Sequence, residues 1–217
     1  EDFSNAIIYL SEALIIMRKF GNRQAESQVF SNLGKAFMNM RSFPEAIKYY
    51  NRALKYYKEI SDKRSISHTL CELGELYFEL NDYKSSKQYF IDGLGVSKQI
   101  NDIVNEVRTN TGLAKLYVKF QDPETASVYL LNAEELAKSR NSFKELSKIS
   151  KIFSDSYSAE GKKAEAKKSL EKHYEYLRKM INLEEENKIH SIMLGHLSNK
   201  NDKDGLFGKY LSDKMEK

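Results

Sequence analysis

Small residues recur along this chain at intervals of 40 positions. One series comprises Ala6, Ala46, Ser86, Ala126 and Ala166, and a second, seven residues later, comprises Ala13, Ala53, Gly93 and Ala133. A large apolar residue stands between the two series each time: Leu10, Tyr50, Phe90, Leu130 and Leu170. Several copies in one register are typical of stacked repeats, in which each unit packs only on its neighbours. The spacing therefore predicts an elongated array.

A further set of columns comes earlier in each unit. The aligned pairs are Leu33-Gly34, Leu73-Gly74, Leu113-Ala114 and Phe153-Ser154, and an aromatic residue follows each leucine or phenylalanine by four positions: Phe37, Tyr77, Tyr117 and Tyr157. Spacings of three and four place such residues on one side of a helix. With only two prolines and ten glycines, the composition also favours helices over strands. Each unit is therefore predicted to be a pair of helices whose small residues allow close packing.

Turn residues occur where this interpretation requires them. Ser42-Phe43-Pro44-Glu45 and Ser142-Phe143-Lys144-Glu145 have the pattern of a capping box, and Asp122-Pro123 and Asn81-Asp82 occupy the same place in other units. The remaining joints read Gly21-Asn22, Ser61-Asp62, Asn101-Asp102 and Asn141-Ser142. The sequence thus predicts helices over about 2–20, 23–40, 43–60, 63–80, 83–100, 103–120, 123–139, 143–160 and 163–193.

The predicted fold is all-α, a right-handed α-α superhelical solenoid of about four and a half helix pairs with a long C-terminal helix. The array is assigned to residues 1–178, with repeats at about 1–20 (partial), 23–60, 63–100, 103–139 and 143–178. Residues 179–217 are assigned to an extended helix, a polar loop at 199–205 and a short amphipathic tail. Because the first unit lacks its leading helix, we expect the chain to be part of a longer protein.

These columns resemble the tetratricopeptide repeat family over roughly residues 1–178. The signature is carried by Leu33, Gly34, Phe37, Ala46, Tyr50 and Ala53, and by the same columns in the later units. The family's usual unit has 34 residues, so units of 40 resemble its long-unit subclass; HEAT and armadillo repeats are about as long but lack this column set. Segments such as 60–66, 83–90 and 173–189 are similar to the repeat sensor regions of bacterial signalling proteins. The resemblance implies a non-catalytic module, the sensor or scaffold part of a signalling or regulatory protein, that binds a protein or peptide partner.

The resemblance also implies that the first helix of each pair lines a concave groove. The candidate groove residues are the polar side chains along the outward stripe of those helices: Gln28, Asn32, Lys35, Asn39, His68, Glu72, Glu75, Glu79, Arg108, Lys115, Lys119, Lys148 and Lys151. Ser31, Thr111 and Asp155 share the stripe. Acidic residues on one helix flanked by basic ones predict an extended ligand of mixed charge. The alternative interpretation is that exposed helix faces are charged for solubility.

Several kinds of chemistry are not expected. The positions that match the family's clamp for a terminal carboxylate read Ser31, Lys35, Glu72, Arg108 and Gly112, of which only Arg108 suits. His68 and Cys71 have a spacing that could ligate a metal, but two ligands do not make a site. The sequence also lacks a phosphate-binding glycine loop and a nucleophile with its base and orienting group. We therefore predict no catalytic residue, no metal and no cofactor.

Composition limits the partners and the location. The net charge of +4, from 35 basic and 31 acidic residues, is too balanced to predict nucleic-acid binding. No apolar run is long enough to insert into a membrane. A single cysteine suits a reducing cytosol, so we expect a cytoplasmic protein. Two alternatives remain open: a structural homodimer formed by the C-terminal helix without a peptide ligand, and occupation of the groove by the tail 206–215.

Overall fold

Nine α-helices account for the part of the chain that is described. The structure is a computed structural model that describes residues 3–198, with side chains described as far as residue 184. Within that range there is no strand, and the helices are α1 (Phe3–Lys19), α2 (Arg23–Asn39), α3 (Phe43–Glu59), α4 (Lys63–Glu79), α5 (Tyr83–Gln99), α6 (Ile103–Lys119), α7 (Pro123–Ser139), α8 (Phe143–Ala159) and α9 (Lys163–Ser198). The predicted all-α superhelical repeat fold is confirmed, and the first eight helices end within one residue of their predicted bounds.

The repeat length follows from one helix length and one turn. Helices α1 to α8 each contain 17 residues, and three residues separate each helix from the next. The middle residue of every turn has a positive φ, from 50° at Asn141 to 75° at Gly161. The second and third residues of each turn donate backbone hydrogen bonds to the last turn of the preceding helix, as in Arg41 N to Met38 O at 2.9 Å and Ser42 N to Phe37 O at 2.9 Å. Because all eight turns share this geometry, the units repeat every 40 residues.

Helix starts are capped mainly by acidic side chains. Asp62, Asp82, Asp102 and Asp122 each accept a hydrogen bond from the backbone N–H three residues on, and Asn22 does the same at α2. The two predicted capping boxes are wrong. The Ser42 hydroxyl donates instead to the Glu45 carboxylate at 2.8 Å, and Ser142 makes no side-chain cap. In both, the carboxylate is occupied by a side-chain donor, Ser42 in one and Lys148 in the other.

The helices form two layers. We call α2, α4, α6 and α8 the A helices, and α1, α3, α5, α7 and α9 the B helices. Each A helix packs against the B helix before it and the B helix after it. Neighbouring A helices also contact one another, α2 with α4, α4 with α6 and α6 with α8. Since a curved stack is most closely packed on its inside, the A helices line the concave side, which we call the inner face.

Aromatic rings lie directly on glycine backbones at the seams between paired helices. A Cβ added to Gly34 would lie 2.8 Å from the Tyr50 ring, and one added to Gly74 would lie 2.6 Å from the Phe90 ring. The same Phe90 ring also covers Gly112 on α6 and so joins two successive units. Where the column contains Leu130 instead of an aromatic, the facing residue is Ala114. The size of the large residue and the space opposite it are therefore matched within each unit.

Polar members of the small-residue columns are also accounted for. The Ser86 hydroxyl, which stands where other units have alanine, donates to the Gly74 carbonyl at 2.7 Å. Ser67 likewise donates to the Gly93 carbonyl at 3.2 Å. Hydrogen bonding thus removes the cost of burying these hydroxyls at close helix contacts.

The last helix is longer than predicted. Helix α9 continues through Gly195 to Ser198, whereas an end near residue 193 was expected. It crosses residues 178 and 179 without a break, and the division of the chain there stays a prediction. The predicted loop at 199–205 and the tail at 206–215 lie outside the described residues. None of the described helices combines the length and the apolar character needed to cross a membrane.

The turn geometry generates a first prediction. We expect Gln121→Gly to raise the free energy of unfolding by about 0.5–1 kcal/mol, because Gln121 has a φ of 58° that glycine adopts without strain. The reciprocal change Gly161→Gln should lower it by a similar amount, since no atom lies within 4 Å of an added Cβ there and only the backbone is tested. Urea unfolding followed by circular dichroism measures both. Effects of the same sign in the two variants would contradict the assignment.

The ring-on-glycine seam generates a second prediction. Gly74→Ala should destabilise the protein by about 1–3 kcal/mol, because the new Cβ would displace the Phe90 ring. Adding Phe90→Leu reproduces the Ala114 and Leu130 pair, so the double variant should be about 1 kcal/mol more stable than the sum of the single effects predicts. Gly95→Ala is the control, since an added Cβ there meets nothing within 4 Å. Strict additivity in this cycle would show that the two sites are not in close contact.

Candidate functional site

Two adjoining cavities lie on the inner face. The larger has a volume of about 560 Å³ and the smaller about 180 Å³. Both are lined by Arg108, so they lie next to each other along the A helices. Volumes in this range suit a short stretch of an extended ligand.

The larger cavity is built from the first turns of α4 and α6. Its floor and rim are polar, and the residues that line it are Gln28, Ser31, Tyr57, Arg64, Ser65, His68, Thr69, Asn101, Asp102, Ile103, Val104, Asn105, Arg108 and Arg140. Gln28, His68 and Arg108 are spaced by 40, so each A helix contributes the same position. The wall therefore repeats with the array and changes its chemistry from one helix to the next.

The smaller cavity lies between the middle of α4 and the start of α8. Glu75 and Glu79 of α4 line one side, and Lys115 of α6 and Lys148 of α8 line the other. Met38, Phe78, Phe90 and Gly112 supply its apolar surface. Lys148 contacts Glu145 at 3.2 Å and remains 54% exposed. Both signs of charge thus face the same small volume.

A buried ion network lies beneath both cavities. Arg108 Nη2 donates to Glu72 Oε1 at 2.9 Å and to Glu75 Oε1 at 3.1 Å. The Tyr50 hydroxyl donates to the other oxygen of Glu72, Oε2, at 3.1 Å. Glu72 is only 4% exposed. One carboxylate therefore connects α3, α4 and α6, which belong to three successive units.

The network fixes the charge state of its members. Burial alone raises the pKa of Glu72, but the charge of Arg108, the adjacent His68 and the hydrogen bond from Arg108 outweigh it and hold the pKa below its ordinary value. For Arg108, burial lowers the pKa, and Cys71, Glu75 and Glu72 together raise it above its ordinary value. Glu72 and Arg108 are accordingly both charged at neutral pH. Burial and the charge of Glu72 raise the pKa of Tyr50, which keeps its hydroxyl a donor.

His68 and Cys71 differ too much in exposure to act together. His68 Nε2 lies 3.5 Å from Glu72 Oε1, but burial, despite the charge of Glu72, lowers the pKa of the imidazole, so it is neutral at pH 7. Cys71 is fully buried, and burial raises the pKa of its thiol. The sulfur contacts Glu75 Oε1 at 3.9 Å. A thiol in this state is a small core residue, as the sequence interpretation favoured.

The structure brings together seven of the predicted groove residues. Those that line the two cavities are Gln28, His68, Glu75, Glu79, Arg108, Lys115 and Lys148. Asn32, Lys35, Asn39, Lys119 and Lys151 are exposed on A helices beside the cavities, where Asn32 contacts Gln28 at 3.5 Å and Lys151 contacts Asp155 at 2.9 Å. The expected exposure is wrong for Ser31, Glu72 and Thr111, which are buried because the next A helix packs over them.

The sequence interpretation missed several residues that line the larger cavity, among them Arg64, Asp102, Asn105 and Arg140. Arg64 precedes His68 by one helical turn, so extending the stripe by four residues would have found it. Asp102 was recognised only as a turn residue. Arg140 caps the C-terminus of a B helix, and its approach to the A helices depends on the twist between units.

Comparison with known proteins supports the repeat assignment. A family model described as a tetratricopeptide repeat matches residues 25–99. The apo form of RapI superposes with a TM-score of 0.67 at 15% identity over 83% of this chain and 64% of that one. A putative kinesin light chain of Podosopora anserina with nearly identical TPR-like repeats gives 0.60 at 14% identity over 82% and 88%. BtubC from P. vanneervenii gives 0.54 at 14% identity over 83% and 92%.

These likenesses concern the fold, because the identities are low. The chain spans less than two thirds of the length of RapI. No curated protein matches the sequence. The family model supports the predicted resemblance to tetratricopeptide repeats over residues 25–99, and the solved structures support the repeat fold. The role of the array has to be argued from its inner face.

The ion network generates a third prediction. Arg108→Met should lower the free energy of unfolding at pH 7 by about 2–4 kcal/mol, because it leaves Glu72 buried and charged without its main partner. Without that guanidinium, burial raises the pKa of Glu72 above its unfolded value, so the variant recovers stability as the pH falls and Glu72 takes up a proton. In the wild type the pKa of Glu72 is lowered, so its contribution is lost as the pH falls. The deficit of the variant should therefore shrink between pH 7 and pH 4.5.

Two further variants make this measurement specific. The double variant Arg108→Met with Glu72→Gln should be more stable at pH 7 than Arg108→Met alone, because no unpaired charge remains. Lys115→Met, on the exposed side of the same helix, should change stability by less than about 0.5 kcal/mol. Urea titrations at both pH values report all four proteins. A deficit for Arg108→Met that equals the Lys115→Met control, or that does not depend on pH, would refute the network's role.

Proposed function

We propose that this chain, whose repeats resemble tetratricopeptide repeats, is a non-catalytic interaction module that binds an extended segment of a partner protein along its inner face. The observation that carries the proposal is the pair of adjoining cavities that share Arg108. Their walls come from equivalent positions on successive A helices. An extended segment laid across those helices would meet the same position of each helix in turn.

Charge favours a segment of mixed sign. Glu75 and Glu79 face Lys115 and Lys148 across the smaller cavity. Lys115 and Glu79 are exposed, so each is available to a ligand group of opposite charge. Charge-assisted hydrogen bonds at such positions set the register of a bound segment more than its affinity. The ligand class is therefore a peptide segment that carries both acidic and basic residues.

The floor of the inner face is organised before a ligand arrives. Glu72, Arg108 and Tyr50 hold three units together through hydrogen bonds of 2.9 and 3.1 Å. The Phe90 ring, 1% exposed, fills the space below Gly112. A binding surface that needs no ordering keeps more of its contact energy as affinity.

The chemistry of the cavities favours binding over catalysis. The Cys71 thiol is buried with a raised pKa and is therefore a poor nucleophile. Glu72 and Arg108, the best-placed acid and cation, are occupied by each other. The side chains that reach the cavities freely are suited to hydrogen bonding and charge pairing.

The module would serve as the sensor or scaffold part of a larger cytoplasmic signalling or regulatory protein. This role is supported by the resemblance of segments 60–66, 83–90 and 173–189 to repeat sensor regions. A homodimer through α9 is the alternative, and the exposure of Tyr174 and Ile181, seven residues apart on that helix, favours it. Leu170 and Leu177 of the same helix are instead partly buried.

A fourth prediction concerns the inner face. Peptides selected from a random display library on the wild-type protein should lose binding, by at least about 10-fold in Kd, to the variant Lys115→Glu with Lys148→Glu, because both changes reverse charge in the smaller cavity. The matched control is Lys58→Glu with Lys98→Glu, which changes the same charge on exposed B-helix positions away from the cavities. Titration calorimetry of the selected peptides compares the three proteins.

Either of two results would count against the proposal. Selected peptides that bind the inner-face variant and the control equally well would place the binding surface elsewhere. A library that yields no binder above background would favour a structural role, and light scattering of the wild type would then be expected to show a dimer.

A further inference from the structure

We infer that the larger cavity is a subsite for a carboxylate of the bound segment, with the carboxylate held by Arg64 and Arg140 and a neighbouring N–H of the segment donated to Asn105. This inference rests on the proposed function and specifies the chemistry of one part of the inner face. It is separate from the family's terminal-carboxylate clamp, because the positions that match that clamp here include Glu72 and Gly112.

Asn105 has an unused acceptor. The side chain is 3% exposed, and its Nδ2 donates to Asp102 Oδ2 at 3.0 Å while its backbone N donates to Asp102 Oδ1 at 3.3 Å. Its Oδ1 has no donor among the described residues. Reversing the amide would set its oxygen against the Asp102 carboxylate, so the arrangement is fixed. A buried oxygen without a donor is costly to keep, and a ligand N–H would satisfy it once the side chains that cover this oxygen move aside.

The cavity also has positive charge in excess. Arg64 and Arg140 lie at its rim, and the carboxylate among its lining residues is that of Asp102. Asp102 is already used by Asn105 and by Arg64, whose Nε lies 3.5 Å from Oδ2. Arg64 is 80% exposed, and Arg140 has no ion-pair partner among the described residues. Arg140 and the outer N–H groups of Arg64 are therefore left to attract an anion.

The other titratable groups that line this cavity carry no negative charge that could neutralise Arg64 and Arg140. Arg108 is engaged by Glu72 and Glu75. His68 is neutral at pH 7 because burial lowers its pKa. The Tyr57 hydroxyl, whose pKa is raised by burial and by the charge of Asp62, also stays neutral. The excess of positive charge thus persists across the neutral pH range.

An acidic residue of a peptide combines the two groups that this cavity calls for. Its carboxylate matches the planar fork of a guanidinium, and its backbone supplies an N–H close by. Ile103 and Val104, the latter 50% exposed, provide an apolar wall for an adjacent side chain. The carboxylate can come from an internal Asp or Glu side chain or from the C-terminus of the segment, and the two sources need separate probes.

A fifth prediction tests the subsite by NMR titration, which detects weak binding and locates it. The probes are a pentapeptide Ala-Leu-Glu-Leu-Ala that is acetylated and amidated, the same peptide with Gln for Glu, the Gln peptide with a free C-terminus, and inorganic phosphate. The Glu peptide should shift the side-chain signals of Asn105, Arg64 and Arg140 with a Kd at least about 10-fold lower than the neutral Gln peptide. A similarly lower Kd for the Gln peptide with a free C-terminus would identify the C-terminus as a source of the carboxylate.

The variants separate the two contacts. Arg64→Gln with Arg140→Gln should cancel the advantage of the Glu peptide, whereas Lys58→Gln with Lys98→Gln, an equal charge change on exposed B-helix positions, should preserve it. Asn105→Ser copies the residue that α4 has at the equivalent position, Ser65. It should weaken the Glu and Gln peptides alike, by roughly 3- to 10-fold, because both carry the same N–H.

Five outcomes would overturn the inference. Equal binding of the Glu and neutral Gln peptides would show that the cavity does not recognise a carboxylate. Unchanged selectivity in the arginine variant would show that Arg64 and Arg140 do not hold it. Phosphate that binds as tightly as the Glu peptide would show a general anion site. Shifts at Lys115 and Lys148 without shifts at Asn105 would refute this subsite and leave the proposed function standing. Peptide titrations that shift no inner-face signal would count against both.

Discussion

The fold depends on aromatic rings that pack directly against the backbone of glycine residues. At Gly34 and Gly74 the ring of the paired helix sits where a Cβ would be, and Phe90 extends the same contact to Gly112 in the next unit. Such close seams bring helix axes near enough for the large residues to be fully enclosed, as Tyr50 and Phe90 are at 1% exposure. Burial of this kind is the main favourable term in folding. Each unit is stabilised by its neighbours, and the A helices come close enough to form a common surface.

The buried charges add orientation to this packing. Replacing a buried ion pair by apolar residues is often neutral or stabilising, so Glu72 and Arg108 are not explained by stability alone. Their hydrogen bonds join α4 to α6. Tyr50 extends the connection to α3. The network therefore sets how successive A helices are placed, and with it the shape of the two cavities.

Most of the fold follows from local patterns that repeat. The positions of the small residues predicted the seams, and Asp or Asn before α2, α4, α5, α6 and α7 predicted the starts of those helices, because both signals act within a few residues. The capping boxes at Ser42 and Ser142 failed since a carboxylate near a helix start has several donors to choose from. The end of α9 was missed because a single glycine, Gly195, does not end a helix unless other turn-forming residues stand beside it.

Less of the candidate site could be predicted from these local patterns. Gln28, His68, Arg108 and Lys148 were found because they share one position of a repeat. The burial of Glu72 was not predicted, because it depends on contact with the guanidinium of Arg108, 36 residues later in the chain. Arg140 and Tyr57 reach the larger cavity from the ends of B helices, which depends on the rotation from one unit to the next. The periodicity of residues within one helix gives no information about the rotation between successive units.

Arg108 lines both cavities, so a ligand that moved its guanidinium in one cavity would alter the other. Its guanidinium contacts Glu75, a carboxylate that is 39% exposed in the smaller cavity. An anion that drew the guanidinium into the larger cavity would leave Glu75 without its partner and so strengthen the hold of the smaller cavity on a cation. By linkage, a cation bound beside Glu75 would favour the anion to the same degree. A segment with opposite charges at the right separation would gain from cooperativity that neither half shows alone.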